Sequence, residues 1–244
     1  MKKLNFMTII AVMIALISFG KLQAQDANQI LTNIDNTLKA PKDIVENMSI
    51  TLVSRSGQKQ VRTATAWMKG SDKRLFKFNS PASVKGIGFL SLPNDLMYLY
   101  MPAYGRERRI ASSVKNQKFA GTDLTYDEMQ SKDYNKKYSA KILENKSNSY
   151  VLQLTPKQKS AYSKLIMTVA KSNGLPTSIE SYDKSGRKVK TATTVFAKSG
   201  KYWYAKTMTV KDLKTKHSTI MKVTSVKFDS NLSNEIFTVR NLKK

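Results

Sequence analysis

Pro81 to Met129 reads PASVKGIGFLSLPNDLMYLYMPAYGRERRIASSVKNQKFAGTDLTYDEM, and this stretch decides the fold. It holds two strongly apolar runs, Gly86-Ile87-Gly88-Phe89-Leu90-Ser91-Leu92 and Leu96-Met97-Tyr98-Leu99-Tyr100-Met101. Pro81 and Pro93 bracket the first, Asn94-Asp95 turns into the second, and Pro102 ends it. An ordinary half-buried strand alternates apolar and polar side chains. In the second run both alternating sets are apolar, with Leu96, Tyr98 and Tyr100 on one face and Met97, Leu99 and Met101 on the other. Such a strand is covered on both sides. One cover could be a helix and the other a bound apolar ligand. A central core strand with nothing bound would give the same pattern.

Outward from this stretch the hairpin rhythm continues in both directions. Residues 47–53, 60–68 and 73–78 read as strands on the N-terminal side, joined by turns at Arg55-Ser56-Gly57-Gln58 and Lys69-Gly70-Ser71-Asp72. Thr125-x-x-Glu128 fits a capping box at a helix start. Strands then resume at 138–143, 149–154, 163–170, 177–182, 188–196, 202–210 and 218–228, with Asn173-Gly174, Ser185-Gly186 and Ser199-Gly200 at turns. Strands at regular short intervals with so little helix predict one large antiparallel sheet coiled into an open or half barrel. Gln25 to Ala40 reads as an amphipathic helix, with Ile30, Leu31, Ile34 and Leu38 on one stripe and Pro41 as its stop. That stripe needs a surface to lie on, and the sheet is the only large one.

Met1 to Ala24 reads as a secretory signal: Lys2-Lys3, an uncharged apolar run from Phe6 to Phe19, and a cleavage site at Leu22-Gln23-Ala24. A membrane anchor is the alternative, but a span needs about 20 apolar residues. The reading is therefore a leader, 1–24, followed by one domain, 25–244. Export argues against nucleic acid as a partner. The net charge of +25 is spread along the chain, and Lys2, Lys3 and Lys21 fall in the leader. A basic protein of this kind suits an anionic lipid or membrane surface, or carries the charge for solubility. The sequence has no cysteine, which excludes disulfides, thiolate metal sites, a cysteine nucleophile and a lipidated N-terminal cysteine. A single histidine, His217, leaves no basis for a His-ligated metal site or a His-based triad.

Two motifs carry a family resemblance. Met101-Pro102-Ala103-Tyr104-Gly105-Arg106-Glu107-Arg108-Arg109-Ile110 and Phe119-Ala120-Gly121-Thr122-Asp123-Leu124-Thr125-Tyr126-Asp127-Glu128-Met129 resemble segments of the outer-membrane lipoprotein-sorting, or LolA-like, family. Ile236 to Leu242 resembles that family's closing strand. The resemblance covers the chain from residue 25 onward. It implies an incomplete antiparallel barrel with helices covering its concave face, and a periplasmic carrier of lipoprotein or lipid acyl chains. No cofactor is implied.

Candidate sites follow. Phe76, Phe78, Phe89, Leu90, Leu92, Met97, Leu99 and Met101 suit a wall that accommodates acyl chains, although spacing does not say which strand face points inward. Methionine adapts to irregular apolar surfaces, and each buried methylene yields about 0.8 kcal/mol. Arg106, Arg108 and Arg109 form a basic cluster suited to a lipid phosphate, a carboxylate or an acidic partner; a solvated strand end accounts for it equally well on composition, and the resemblance favours contact. Asp123, Asp127 and Glu128 are the nearest thing to an acid/base group, but Asp127 and Glu128 sit at a predicted helix start, where capping is the better account. Gly86-Ile87-Gly88 lacks the third glycine and following helix of a dinucleotide loop. Tyr202-Trp203-Tyr204 beside Lys201 and Lys206 matches a nucleic-acid stacking platform, and equally an ordinary half-buried strand. The expectation is a non-enzymatic carrier that meets membranes transiently and works with an inner-membrane transporter or regulator. An envelope sensor of the same fold and an accessory protein of an export pump are the other readings.

Overall fold

The computed structural model describes residues 27–130 and 133–244. The leader read at 1–24 lies outside the described residues. A helix, α1, spans residues 27–38. Six strands follow: β1 (Asp43–Val53), β2 (Lys59–Lys69), β3 (Lys73–Ser80), β4 (Gly88–Leu92), β5 (Leu96–Met101) and β6 (Arg106–Arg109). Two single-turn helices come next, α2 (Tyr126–Met129) and α3 (Tyr134–Lys137). The second series of strands is β7 (Tyr138–Asn145), β8 (Ser149–Pro156), β9 (Lys164–Ala170), β10 (Pro176–Tyr182), β11 (Lys188–Ser199), β12 (Tyr202–Asp212) and β13 (His217–Phe228). A short helix α4 (Val239–Leu242) closes the chain.

All 13 strands form one sheet in the order β6-β5-β4-β3-β2-β1-β13-β12-β11-β10-β9-β8-β7. The chain starts in the middle of the sheet and meanders outward to the β6 edge. It then crosses to the far edge at β7 and meanders back, until β13 pairs with β1. Neighbours are antiparallel throughout. The edges β6 and β7 do not pair with each other, so the barrel stays open. Register shifts at Asn47/Met48, Thr63/Ala64 and Val195/Phe196 mark bulges that add local twist and help the sheet curl. Between β4 and β5, Asn94 and Asp95 take φ of 60° and 61°, a conformation these two residue types tolerate better than most.

One face of the sheet turns inward. On it, Met48, Ile50 and Leu52 of β1, Ala64 and Ala66 of β2, Phe76 and Phe78 of β3, Phe89 of β4 and Met97 of β5 form one buried cluster. Phe119, from the crossover between β6 and β7, plugs this cluster. Its ring centroid lies 5.5 Å from Phe76, 5.7 Å from Phe78, 5.8 Å from Phe89 and 5.9 Å from Tyr126. A second cluster holds the amphipathic helix: Ala27, Leu31 and Ile34 of α1 lie on Leu152 and Leu154 of β8 and Leu165, Met167 and Val169 of β9. Asp35 of α1 accepts the backbone N–H groups of Tyr134 (3.0 Å) and Asn135 (2.9 Å), tying α1 to α3.

The C-terminal segment departs from the sequence expectation. Ile236 to Leu242 is not a closing strand; residues Asn234–Phe237 form a 3-10 turn and Val239–Leu242 a helical one. Because β13 is already paired on both sides, by β1 and β12, the tail that leaves it cannot continue as its neighbour in the sheet. Instead it lies on the outer face, where Phe237 and Leu242 pack on Leu75 and Leu90 with Leu92, Tyr98 and Tyr100 around them. Asp43 fixes its start by accepting the N–H groups of Ser230 (2.7 Å) and Leu232 (3.1 Å). Gly88 makes the close contact possible, since a Cβ there would come within 2.7 Å of the Leu242 methyl.

Phe119 is fully buried among four aromatic rings. Phe119→Ala is expected to cost about 3–5 kcal/mol of unfolding free energy in urea titrations. A loss under 1 kcal/mol would show that the crossover does not seal the core.

Candidate functional site

The crossover between the sheet edges roofs the concave face, and a cavity of about 240 Å³ lies beneath it. Its floor comes from strands on both halves of the sheet: Glu46 and Met48 of β1, Met68 of β2, Arg74 and Phe76 of β3, Phe89 of β4, Ala192 of β11, Met208 of β12 and Met221 of β13. Its roof is Leu38 at the end of α1, Leu124, Met129 of α2 and Tyr134 of α3. A second space of about 90 Å³ adjoins it, sharing Leu124, Glu128, Tyr134, Ile179, Ala192 and Met208. Five of the 11 methionines, Met48, Met68, Met129, Met208 and Met221, line the larger cavity. A wall this rich in flexible thioethers conforms to chains of different shape.

The expected wall residues divide by strand face. Phe76 and Phe89 line the cavity. Phe78, Met97 and Leu99 share their face but pack around Phe119, away from the cavity. Met101 belongs to this face by alternation along β5. Leu90 and Leu92 do not belong to the wall: they point to the outer face and are covered by the C-terminal tail. This is why the two apolar runs looked doubly covered. One cover is the roof, the other the tail. Sequence reasoning missed Met48, Met68, Met208 and Met221, which stand singly in alternating strands and give no local signal.

Arg106, Arg108 and Arg109 are exposed on β6, an edge strand, and none of them lines the cavity. Arg106 and Arg108 pair across from Met101 and Leu99, and Arg109 from Tyr98, so the cluster is split between the two faces. Arg108 lies 5.8 Å from the Tyr104 ring. Between them Glu107 meets Lys243 of the tail at 3.2 Å. Charged side chains on an edge strand also discourage pairing with a second sheet.

The roof is held by polar contacts. The expected capping box is present: Thr125 accepts the Glu128 N–H, and Glu128 accepts the Thr125 N–H at 2.8 Å. Glu128 also takes hydrogen bonds from Lys190 (2.8 Å) and the Tyr162 hydroxyl (3.1 Å). Burial alone would raise the Glu128 carboxyl, but Lys190 and these donors hold it below the usual range. Asp123 lies before this helix. It is fully buried and receives Lys118 (2.9 Å) and the Thr219 hydroxyl (2.8 Å), with His217 Nδ1 at 2.6 Å. That latches the crossover to β13. Arg62 of β2 donates to the Ala120 carbonyl at 2.5 Å from the other side.

Among the charged groups that line the cavity are Glu46 of β1 and Arg74 of β3. Burial pushes the Glu46 carboxyl up to about 7, with the Arg74 guanidinium pulling the other way. Burial lowers the Arg74 guanidinium, and Glu46 and Tyr134 oppose that shift. Among the described residues no cluster of three or more His, Asp or Glu side chains is placed to hold a metal ion, and no helix is long and apolar enough to cross a membrane.

Comparison with known proteins places this architecture. A family described as "Uncharacterized protein" matches residues 70–244. No curated protein sequence matches. Among solved structures, an outer membrane lipoprotein-sorting protein domain from Vibrio parahaemolyticus is 26% identical, with a TM-score of 0.83 over 91% of this chain and 100% of that one. A DUF1329 family protein from Desulfovibrio piger is 25% identical, with a TM-score of 0.84 over 90% and 99%. A LolA superfamily protein from Nitrosomonas europaea, at 22% identity and a TM-score of 0.73 over 87% and 97%, shares the fold.

The raised carboxyl gives a pH prediction. The neutral form of Glu46 is favoured on folding, so its stabilising effect is complete below the ordinary value near 4.5 and is lost as pH rises through about 7. Glu46→Gln is expected to leave stability unchanged at acid pH and to raise it by about 2–3 kcal/mol above pH 8. Urea unfolding across that range is the measurement, and a pH-independent difference would contradict the assignment.

Proposed function

The chain belongs to the family matched over residues 70–244, and from that premise and its LolA-like fold we propose that it is a non-enzymatic carrier. In this reading it is exported to the periplasm and shields acyl chains of lipoproteins or lipids between membranes. The observation that carries the reading is the methionine-rich cavity between the inner face of the sheet and a roof closed by side-chain hydrogen bonds and ion pairs. An acyl chain needs apolar surface and no directed hydrogen bonds, and about 0.8 kcal/mol per methylene is available from burial alone. Cargo enters and leaves by equilibrium binding, without covalent chemistry or a cofactor.

Opening runs through the crossover. Its anchors, Glu128 to Lys190 and Asp123 to His217 and Thr219, are polar groups that water can satisfy when the roof lifts. Each neutral hydrogen bond of this kind contributes about 1 kcal/mol net, and those to charged groups about 1.5–3. Lifting the roof also exposes Leu124 and Met129, which gives the open state an apolar surface to set against a membrane. Arg106, Arg108 and Arg109 at the sheet edge would then meet anionic head groups or an inner-membrane transporter or regulator.

The test combines recovery and blockade. The mature protein purified from its own envelope is expected to carry acyl cargo in native mass spectrometry and, once stripped, to take up a fluorescent fatty acid. Ala192→Trp puts an indole on the cavity floor and should abolish uptake with little change in melting temperature. An empty wild-type protein that takes up no fatty acid would overturn the carrier reading.

A further inference from the structure

Of the charged side chains that line the cavity, most already have partners. Glu128 has Lys190 and Tyr162, Lys39 has Asp133 at 2.9 Å, and Asp43 has two backbone N–H groups of the tail. Arg74 and Glu46 differ. Among the described residues neither makes a hydrogen bond or a close ion pair, although both face the same apolar space. They stand on β3 and β1 with β2 between them: Arg74 lies across from Met68, and Glu46 across from Ala66, one row further along the same face. A guanidinium has five N–H donors, and leaving it without acceptors in an apolar enclosure is costly. Replacing it with another methionine would be the stabilising choice for a cavity that served only hydrocarbon.

We propose that this cavity binds a single-chain amphiphile by its anionic head as well as its chain, with the head group, a carboxylate or phosphate, seated on Arg74 and the chain laid along Met48, Met68, Met208 and Met221. The proposal rests on the carrier reading and adds a head-group class to it. It also moves anion recognition from the exposed arginines of β6 to the interior, where charge is little screened.

Glu46 sets when that seat is available. Ionised, it competes for Arg74 and repels an incoming anion. Protonated, it leaves Arg74 free and can donate a hydrogen bond to the head group. The other titratable and charged groups facing it are Tyr134 of α3, Glu128 of α2 with its Lys190 partner, Lys39 after α1, and Asp43 on its own strand. Its carboxyl, pushed up by burial, changes charge near neutrality. Uptake of an anion whose own charge is fixed is therefore favoured at lower pH.

Calorimetric titration of the stripped wild-type protein tests this with four probes of equal chain length, each below its micelle threshold: dodecanoate, dodecyl phosphate, dodecanesulfonate and uncharged dodecanol. The anions are expected to bind about tenfold or more tightly than dodecanol, the span of one charge-assisted contact. Whichever of dodecanoate and dodecyl phosphate binds more tightly identifies the head. Arg74→Met should bring the anions to the dodecanol level and leave dodecanol unchanged. Dodecanesulfonate does not titrate in this range, so its affinity should fall from pH 6 to pH 8, and Glu46→Gln should remove that fall. Glu46→Gln keeps the test open if Arg74→Met fails to fold. Equal binding of dodecanol and the anions, or an anion preference that survives Arg74→Met, would overturn the inference and leave the carrier reading standing. No binding of any probe would overturn both.

Discussion

The constraint on which this structure depends is the crossover from β6 to β7. The sheet is laid down as two meanders, the first running from β1 in the middle out to the β6 edge and the second from the β7 edge back to β13, which pairs with β1. The chain must therefore travel from one outer edge to the other, and in a curled sheet the short path runs across the concave face. A roof over the cavity follows from the strand order. Phe119 is the point at which that path is tied down, and the aromatic cluster around it forms because two neighbouring strands, β3 and β4, present Phe76, Phe78 and Phe89 together on the inner face. Beyond this plug the crossover is secured by ions and hydrogen bonds, and there the cavity lies.

Much of this order is readable in the chain. Glycine and asparagine turns spaced by strand-length segments mark the hairpins, the stripe of α1 is visible in Leu31 and Ile34, and Thr125 with Glu128 marks the start of α2. The direction in which each strand faces is a different matter. Leu90 and Phe89 are neighbours and both strongly apolar, and only the tail packed against Leu90 decides that Phe89 is the inner one. The tail itself has an apolar pattern, Ile236, Phe237, Val239 and Leu242, that a strand and a short helix share. Strand pairing around β13 rules the strand out, and that is information held at residues nearly 200 positions earlier, in β1.

The cavity was least legible where it matters most. Met208 and Met221 lie opposite each other on β12 and β13, and the pairing of β13 with β1 and of β1 with β2 brings them near Met48 and Met68, on strands far apart in sequence. Glu46 and Arg74 sit at positions that an alternating strand would give to solvent. Local pattern cannot distinguish a polar residue facing water from one facing an internal space, because the side chains alternate in the same way in both cases.

The same distinction governs how the protein's charge should be read. A net charge of +25 invites an argument from quantity, and the exposed arginines of β6 invite one from clustering. Neither has much energetic force: exposed charges are screened over about 8–10 Å at ordinary salt, and individual surface pairs contribute about 0–1 kcal/mol. A guanidinium inside the barrel is in another regime. It is part-buried and no described residue hydrogen-bonds to its side chain, so solvent screens it less than the arginines of the edge strand. A second part-buried group, Glu46, lies close enough to oppose it, and its carboxyl is pushed up to about 7. Position thus outweighs number. In the carrier proposed above, two charges of opposite sign on one wall would constrain the ligand more than the many lysines outside, because a chain in this cavity would share the space with both.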